Sequence, residues 1–122
     1  MWPNAFVTAS HEVLSEIREF ERSSTAALNA YLQPVVASYL GKLDAALAQQ
    51  KFPGGLQIVQ SNGGIMSTAT ARRFPVRTAL SGPAAGVVAG AALAEAAGFD
   101  NVITCDLGGT SFDVSVIANG KA

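Results

Sequence analysis

A continuous apolar stripe is the sequence feature that most limits how this chain can fold. From Ser23 onward, apolar side chains recur at steps of three and four residues, which is the period of one face of an α-helix. The stripe comprises Leu28, Tyr31, Leu32, Val35, Val36, Tyr39, Leu40, Leu43 and Leu47. Its phase is the same on both sides of Pro34, so we predict one long packing helix that bends at Pro34 and ends near Gln50.

Segments rich in Gly and Pro divide the remaining chain into shorter elements. The run KFPGG at residues 51–55 ends the long helix, because Pro and paired Gly disfavour its continuation. The expected short elements are strands at 6–8, 56–60, 65–66, 101–105 and 114–118, a helical turn capped by Ser10, and another at 68–73. Strands and helices are therefore mixed along the chain, which indicates the α/β class.

A second helix has clear start and stop signals in the sequence, and one of its faces consists of small residues. Ser81 is expected to cap it, Pro83 suits its first turn, and its body should run to Ala97 before Gly98 closes it. Small residues recur every four positions at Gly82, Gly86, Gly90, Ala94 and Gly98. One face therefore has almost no side chains, and we expect its backbone to press against a sheet, another helix or a ligand.

Composition limits the class of protein and of partner. Of 122 residues, 49% are hydrophobic and 14% charged, and the formal charge is −1, which favours a soluble globular unit over a binder of nucleic acid or of an anionic membrane. Residues 84–97 form the longest small-apolar run, which is too short to span a bilayer. The single cysteine, Cys105, has no partner for a disulfide, so we expect a reducing compartment and a cytoplasmic location.

The segment DLGGTSFD, from Asp106 to Asp113, has the residue types of a turn that binds nucleotide phosphate. Gly108 and Gly109 allow a positive φ and let backbone N–H groups approach an anion, while Thr110 and Ser111 add hydroxyl donors. Asp106 is expected to hold Mg²⁺ and Asp113 to bind metal or orient a water, so both are candidate catalytic residues. An ordinary hairpin that happens to contain Gly-Gly is the alternative.

Four blocks of sequence, in order, resemble one family. They are EFERSSTAALNAYLQPVVASYL, VQSNGGIMS, PVRTALSGPAAGVVAGA and NVITCDLGGTSFDV. Together they closely resemble the hydantoinase A / 5-oxoprolinase (N-methylhydantoinase A) family of the actin, hexokinase and Hsp70-like ATPase superfamily. The resemblance implies a central fragment of a longer protein, with residues 1–52 joining two lobes and residues 53–122 beginning the second ribonuclease-H-like lobe. The α/β pattern then corresponds to a long helix, a Gly/Ala-rich helix and a C-terminal β-hairpin.

The function that this resemblance implies is ATP-dependent hydrolysis of a cyclic amide such as a hydantoin or 5-oxoproline. The cofactors would be ATP and Mg²⁺, bound in part by Asp106, Gly108, Gly109, Thr110, Ser111 and Asp113. The partners would be the missing lobes, a small cyclic-amide substrate and a second, hydantoinase B-like subunit, with the isolated fragment inactive. An ATP-dependent ketone carboxylase subunit, a non-metabolic ATPase or reactivating factor, and a purely structural module remain alternatives.

Other polar residues have both a functional and a structural interpretation. We expect the turn SNGG at residues 61–64 to be a plain hairpin turn, and a place in a cleft between lobes is the less favoured interpretation. The start of the second helix at Ser81 offers N–H groups to an anion, although capping alone explains it. Structural roles are favoured for Arg72, Arg73, Arg77, His11 and Cys105, with Cys105 as a small buried thiol.

Overall fold

Helices and short strands alternate along the chain in the computed structural model, which describes residues 6–121. In chain order the elements are α1 (Ser10–Val13), α2 (Glu19–Gln49), β1 (Gln57–Val59), β2 (Ile65–Ser67), α3 (Thr68–Arg73), a 3₁₀ turn (Pro75–Thr78), α4 (Ser81–Ala96), β3 (Val102–Leu107) and β4 (Phe112–Ile117). The strands form two separate two-stranded sheets, β1 with β2 and β3 with β4. The predicted α/β class, with its long helix, its Gly/Ala-rich helix and its C-terminal hairpin, is confirmed.

The chain divides into two compact units. The first comprises the described residues of Met1–Ile58 together with Met66–Ala79, and the second comprises Val59–Ile65 and the described residues of Leu80–Ala122. No helix within residues 6–121 is both long enough and apolar enough to cross a membrane.

Helix α2 is the main element of the first unit, and the prediction of one long helix is confirmed. It begins four residues before Ser23, contains Pro34 and ends at Gln49. Its Leu40 packs with Met66 and Ala71 in a buried cluster, to which Val36 and Ile58 add partly buried side chains. This cluster fixes one face of α2 against β2 and α3.

The apolar stripe of α2 is only partly used for packing among the described residues. Tyr31 is 78% exposed, and Leu28, Val35 and Tyr39 are exposed as well. The buried face instead includes two amides, Asn29 and Gln33, whose Nδ2 and Nε2 groups both donate to the backbone carbonyl of Arg73. Within the described residues the stripe thus packs only in part, and hydrogen bonds to the Arg73 backbone bury polar side chains beside it.

Several predicted element ends differ from the structure. Residues 6–8 form no strand, and Ala9 rather than Ser10 is the N-cap of α1. Ser81 is the first residue of α4 rather than its cap, because Leu80 occupies the N-cap position with φ +59°, in the left-handed region. Strand β3 continues through Asp106 to Leu107, so the connecting turn is shorter than DLGGTSFD.

The glycine face of α4 has two different surroundings within the second unit. At Gly90, a Cβ atom would lie 2.5 Å from Thr104 Cγ2 and 3.8 Å from Ile117 Cδ1, so the helix backbone approaches the β3–β4 hairpin closely there. At Gly82 and Gly86, a Cβ atom would meet nothing within 4 Å. The expected close approach is confirmed at Gly90, whereas the N-terminal half of the same face borders open space.

Alanine substitutions at Gly90 and Gly86 should therefore change stability in opposite directions. Gly90→Ala is expected to lower the free energy of unfolding by about 1–2 kcal/mol, because overpacking against Thr104 outweighs the gain in helix propensity. Gly86→Ala, the matched control, should raise the same free energy by about 0.5–1 kcal/mol, since it adds propensity without a clash. Urea denaturation measures both, and equal effects at the two positions would contradict the close contact at Gly90.

Candidate functional site

The β3–β4 hairpin has two faces with different chemistry. The strands are antiparallel, and their register alternates the pairs between the faces. The face toward Gly90 of α4 contains the pairs Val102–Ile117, Thr104–Ser115 and Asp106–Asp113, and we call it the inner face. The outer face contains Ile103–Val116, Cys105–Val114 and Leu107–Phe112, all of them exposed in this chain. Polarity on the inner face thus rises from the buried Ile117 toward the turn.

Asp106 and Asp113 lie directly opposite each other on neighbouring strands. Side chains in such a pair have Cβ atoms about 4.5–5.5 Å apart, and like charges at this separation repel each other. Both residues are exposed, and Ser111 Oγ donates a hydrogen bond to Asp113 Oδ2 over 3.3 Å. Among the described residues, no Lys, Arg or His forms an ion pair with either aspartate. A bound cation would offset the repulsion of the two carboxylates.

The turn between the strands comprises residues 108–111. The Gly108 N–H donates a hydrogen bond to the Ser111 carbonyl over 2.9 Å, so this N–H already has a partner within the turn. Neither Gly108 nor Gly109 has φ in the left-handed region, so this turn does not use the positive φ that glycine allows. A Cβ atom at Gly109 would meet nothing within 4 Å. The glycine at this position therefore leaves its backbone open to an approaching group, while Thr110 and Ser111 place their side chains at the exposed tip.

A cavity of about 160 Å³ lies between the inner face and the N-terminal half of α4. The lining residues are Pro83, Gly86 and Val87 of α4, with Thr104, Cys105, Asp106, Asp113 and Ser115 of the hairpin. The missing side chain at Gly86 keeps this space open. The structure thus brings the two predicted carboxylates together on one cavity, and the predicted turn residues from Gly108 to Ser111 lie outside its lining.

Thr104, Ser115 and Gly86 also line this cavity, although the sequence motif did not select them. Residues two positions before Asp106 and two after Asp113 share the face of those aspartates, because side chains in a strand alternate with period two. That alternation was the available signal. In residues 6–121, no group of three or more His, Cys, Asp or Glu side chains is placed to hold a metal ion. The polar side chains of the cavity are the two carboxylates and the hydroxyls of Thr104 and Ser115 next to them.

The arginines named as candidates have structural contacts in the first unit. Arg72 Nη2 lies 2.5 Å from Asp44 Oδ2, and Arg73 Nη2 lies 2.6 Å from Glu12 Oε1. The guanidinium groups of Arg73 and Arg77 lie 5.1 Å and 4.7 Å from the centroid of the Phe74 ring. These contacts support the structural interpretation of the arginines.

The remaining candidates have surroundings of their own. In the SNGG turn, Gly63 has φ +81° and the Gly64 N–H donates to Asn62 Oδ1 over 2.9 Å, as expected of a hairpin turn. His11 is exposed in α1. Cys105 is exposed on the outer face, so the expectation of a buried thiol is wrong. The outer face is apolar but no described residue covers it, which explains the exposure.

The fold and the paired carboxylates define an α/β chain whose C-terminal hairpin is a candidate phosphate-binding element. The model of the family described as Hydantoinase/oxoprolinase matches residues 22–122. The chain therefore belongs to this family, and the predicted family resemblance is confirmed.

Two relatives show how much of a longer protein the chain represents. It is 41% identical to the caprolactamase subunit alpha of Pseudomonas jessenii over 119 residues, which are 98% of this chain and 17% of that protein. It is 32% identical to the 5-oxoprolinase of Saccharomyces cerevisiae, where the match covers 94% of this chain and 9% of the relative. The chain thus spans less than a fifth of the length of either protein.

A solved structure has the same fold. The nucleotide-free structure of acetone carboxylase, described under the mechanism of ATP-dependent acetone carboxylation, matches with a TM-score of 0.82 and 30% sequence identity. The match covers 93% of this chain and 16% of that one. The arrangement of helices and strands described above is therefore shared with a much longer chain.

Proposed function

We propose that this chain supplies part of the nucleotide-phosphate site of an ATP-dependent enzyme that hydrolyses cyclic amides. The observation that carries the proposal is the direct pairing of Asp106 with Asp113 at the cavity beside α4. Two relatives support the substrate class, since caprolactam and 5-oxoproline are both cyclic amides and these proteins are named for acting on them. The likeness to acetone carboxylase supports ATP, because the carboxylation by that enzyme depends on ATP.

The residues at the hairpin fit Mg²⁺ with bound phosphate. Mg²⁺ prefers oxygen ligands and is commonly held by one or two carboxylates together with substrate phosphates and waters. Asp106 would hold the cation, and Asp113 would share it or orient a water, so that the repulsion between the two carboxylates is removed. The amides at Gly109 and Thr110 and the hydroxyls of Thr110 and Ser111 would donate to phosphate oxygens, with Gly108 holding the turn in shape.

The proposed reaction uses ATP to activate an unreactive ring amide. Transfer of the γ-phosphoryl group to the amide oxygen forms an O–P bond and releases ADP. Water then adds to the amide carbon, the C–N bond breaks and the ring nitrogen takes up a proton. Hydrolysis of the resulting acyl phosphate yields a carboxylate and inorganic phosphate. The hairpin would contribute by stabilising negative charge on the phosphoryl group during the first step.

The remaining assignments concern the whole protein. Residues 1–52 would join two lobes and residues 53–122 would begin the second actin-like ATPase lobe of a cytoplasmic enzyme. A second, hydantoinase B-like subunit would complete the enzyme, which is supported by the name of one relative as an alpha subunit. The exposed outer face of the hairpin is an apolar surface that such neighbouring parts of the protein would cover.

Carboxylation of a ketone is the second candidate function, and the fold match to acetone carboxylase favours it. The carboxylation by acetone carboxylase also depends on ATP, so the hairpin alone is compatible with either reaction. The two differ in what must be present for ATP to be consumed, since a carboxylase requires bicarbonate and a ketone whereas a hydrolase requires a cyclic amide.

Release of ADP by the full-length protein, together with its second subunit, tests the proposal. We expect 5-oxoproline, hydantoin or caprolactam to stimulate ADP release at least about tenfold over the basal rate, in parallel with ring opening measured by mass spectrometry. Stimulation only by acetone with bicarbonate would assign the carboxylase function. ATP hydrolysis that responds to neither set would indicate the non-metabolic ATPase.

A further inference from the structure

Thr104 and Ser115 form the middle row of the hairpin's inner face. They are direct cross-strand partners, both are half-buried, and both line the cavity beside Asp106 and Asp113. Among residues 6–121 neither hydroxyl has a hydrogen-bond partner. The row on the side away from the turn is apolar, with Ile117 only 1% exposed. Two unpaired hydroxyls thus lie between an apolar core and a pair of carboxylates.

Both hydroxyls border the cavity and need hydrogen-bond partners there. Thr104 and Ser115 are only partly buried, and neither hydroxyl is among the buried side-chain atoms that lack a hydrogen-bond partner, so both hydroxyls are reached by solvent. The cavity has room for several water molecules, because a site that holds one water needs only about 10–15 Å³ on the same measure. Water in the cavity is therefore the available partner for both hydroxyls.

The spacing also suits the hydration of a cation. Residues two apart on a strand are separated by about 6.4–6.8 Å along it, which leaves room for a water molecule between the hydroxyl row and the carboxylate row. Mg²⁺ binds oxygen at about 2.0–2.1 Å and usually keeps several waters. Each bound water donates two hydrogen bonds outward, and hydroxyl oxygens are suitable acceptors.

We propose that Thr104 and Ser115 are positioning residues, whose hydroxyls hold the waters that complete the coordination of the cation between Asp106 and Asp113. This inference rests on the proposed function, because it needs a cation at the carboxylate pair. The two hydroxyls act through water and contact neither the cation nor the phosphate. Their contribution is to the affinity for the cation and to the orientation of its water ligands.

Thr104 permits a test that separates packing from positioning. Its methyl carbon Cγ2 faces Gly90, at 2.5 Å from where a Cβ atom would be, so the methyl group has a packing role. Thr104→Val keeps this branched shape and removes the hydroxyl, whereas Thr104→Ser keeps the hydroxyl and removes the methyl group. Ser115→Ala and Ser115→Thr provide the corresponding loss and retention of a hydroxyl on the facing strand.

The experiment measures Mn²⁺ binding to the full-length protein in the presence of ADP by electron paramagnetic resonance, with melting temperature recorded for each variant. We expect Thr104→Val and Ser115→Ala to weaken Mn²⁺ binding about tenfold or more, as loss of an outer-shell partner commonly does. Thr104→Ser and Ser115→Thr should bind Mn²⁺ within about threefold of the unmodified protein. Thr104→Ser should lower the melting temperature, and Thr104→Val should not.

The aspartate variants separate failure of this inference from failure of the proposed function. If Asp106→Asn loses Mn²⁺ binding while Thr104→Val and Ser115→Ala bind normally, the positioning role is wrong and the cation site remains. Mn²⁺ binding that follows the melting temperature across the Thr104 variants would also overturn the positioning role. Normal binding by Asp106→Asn and Asp113→Asn would overturn the cation site itself.

Discussion

Replacement of Asp106 by Asn in the full-length protein is expected to lower kcat for ATP hydrolysis about 10²–10³-fold. The substitution keeps the shape of the side chain but removes one of the two charges that face each other across the hairpin. Loss of a single preorganised electrostatic group at a reacting centre commonly has an effect of this size. Asp113→Asn should have a smaller effect, about tenfold, if its main role is to orient water. ADP release at saturating ATP and Mg²⁺ measures both.

The same variants should lose activity without losing stability. Because the two carboxylates repel each other, Asp106→Asn is expected to leave the melting temperature without Mg²⁺ unchanged or slightly higher. Added Mg²⁺ with nucleotide should stabilise the unmodified protein more than the variant, since a ligand that binds the folded state shifts the folding equilibrium. Loss of activity accompanied by loss of folding would not support a role at the phosphate site.

Asp100 provides the matched control. It is an exposed aspartate in the same unit and does not line the cavity that contains Asp106 and Asp113. Its backbone carbonyl accepts a hydrogen bond from the Gly120 N–H. Asp100→Asn makes the same chemical change and should keep kcat within about twofold. Wild-type kcat in Asp106→Asn would contradict the assignment of Asp106 to the site.

Apolar periodicity, together with β-branched runs and turn residues, predicted much of the fold. The long helix followed from a stripe that keeps its phase through Pro34, and the two hairpins followed from short β-branched runs bounded by Gly-rich turns. The start of α4 did not follow, because Leu80 adopts a left-handed conformation that Leu disfavours and that no propensity rule selects. The burial of Asn29 and Gln33 was equally hidden, since sequence rules treat both amides as solvent-exposed.

The candidate site was predictable in its residue types but not in its geometry. The spacing of Asp106 and Asp113 around Gly-Gly indicated a phosphate-binding turn, and both aspartates line the cavity. Their direct pairing depends on strand register, and a shift of one residue would move either side chain to the other face. The same register places Cys105 on the uncovered outer face. Exposure there depends on what packs against the hairpin, which local sequence does not specify.

Asn29 is the polar residue on which the packing of the first unit depends most. It is fully buried, and its Nδ2 donates to Thr8 Oγ1 over 3.0 Å and to the Arg73 carbonyl over 3.1 Å. Its Oδ1 accepts from the Val76 N–H over 3.3 Å. One side chain of α2 thus bonds to an N-terminal segment and to the backbone on both sides of Phe74.

Asn29→Ala is expected to lower the free energy of unfolding by about 2–4 kcal/mol. The substitution removes three hydrogen bonds, opens a small cavity and leaves the Val76 N–H without its acceptor, and each unmet buried group costs about 1–3 kcal/mol. The Arg73 carbonyl would keep one hydrogen bond, because Gln33 Nε2 also donates to it over 3.3 Å. Denaturation by urea, followed by circular dichroism, measures the loss.

Gln33→Met is the matched control on the next turn of the same helix. Gln33 Oε1 is buried and has no hydrogen-bond partner in the described part of the chain, so its replacement by a thioether removes an unmet acceptor along with one donor. Met fills a similar volume, and the Arg73 carbonyl keeps its bond from Asn29. We therefore expect a change within about 1 kcal/mol. Equal losses for the two variants would show that buried volume, rather than the hydrogen bonds of Asn29, holds α2 to the segment that follows α3.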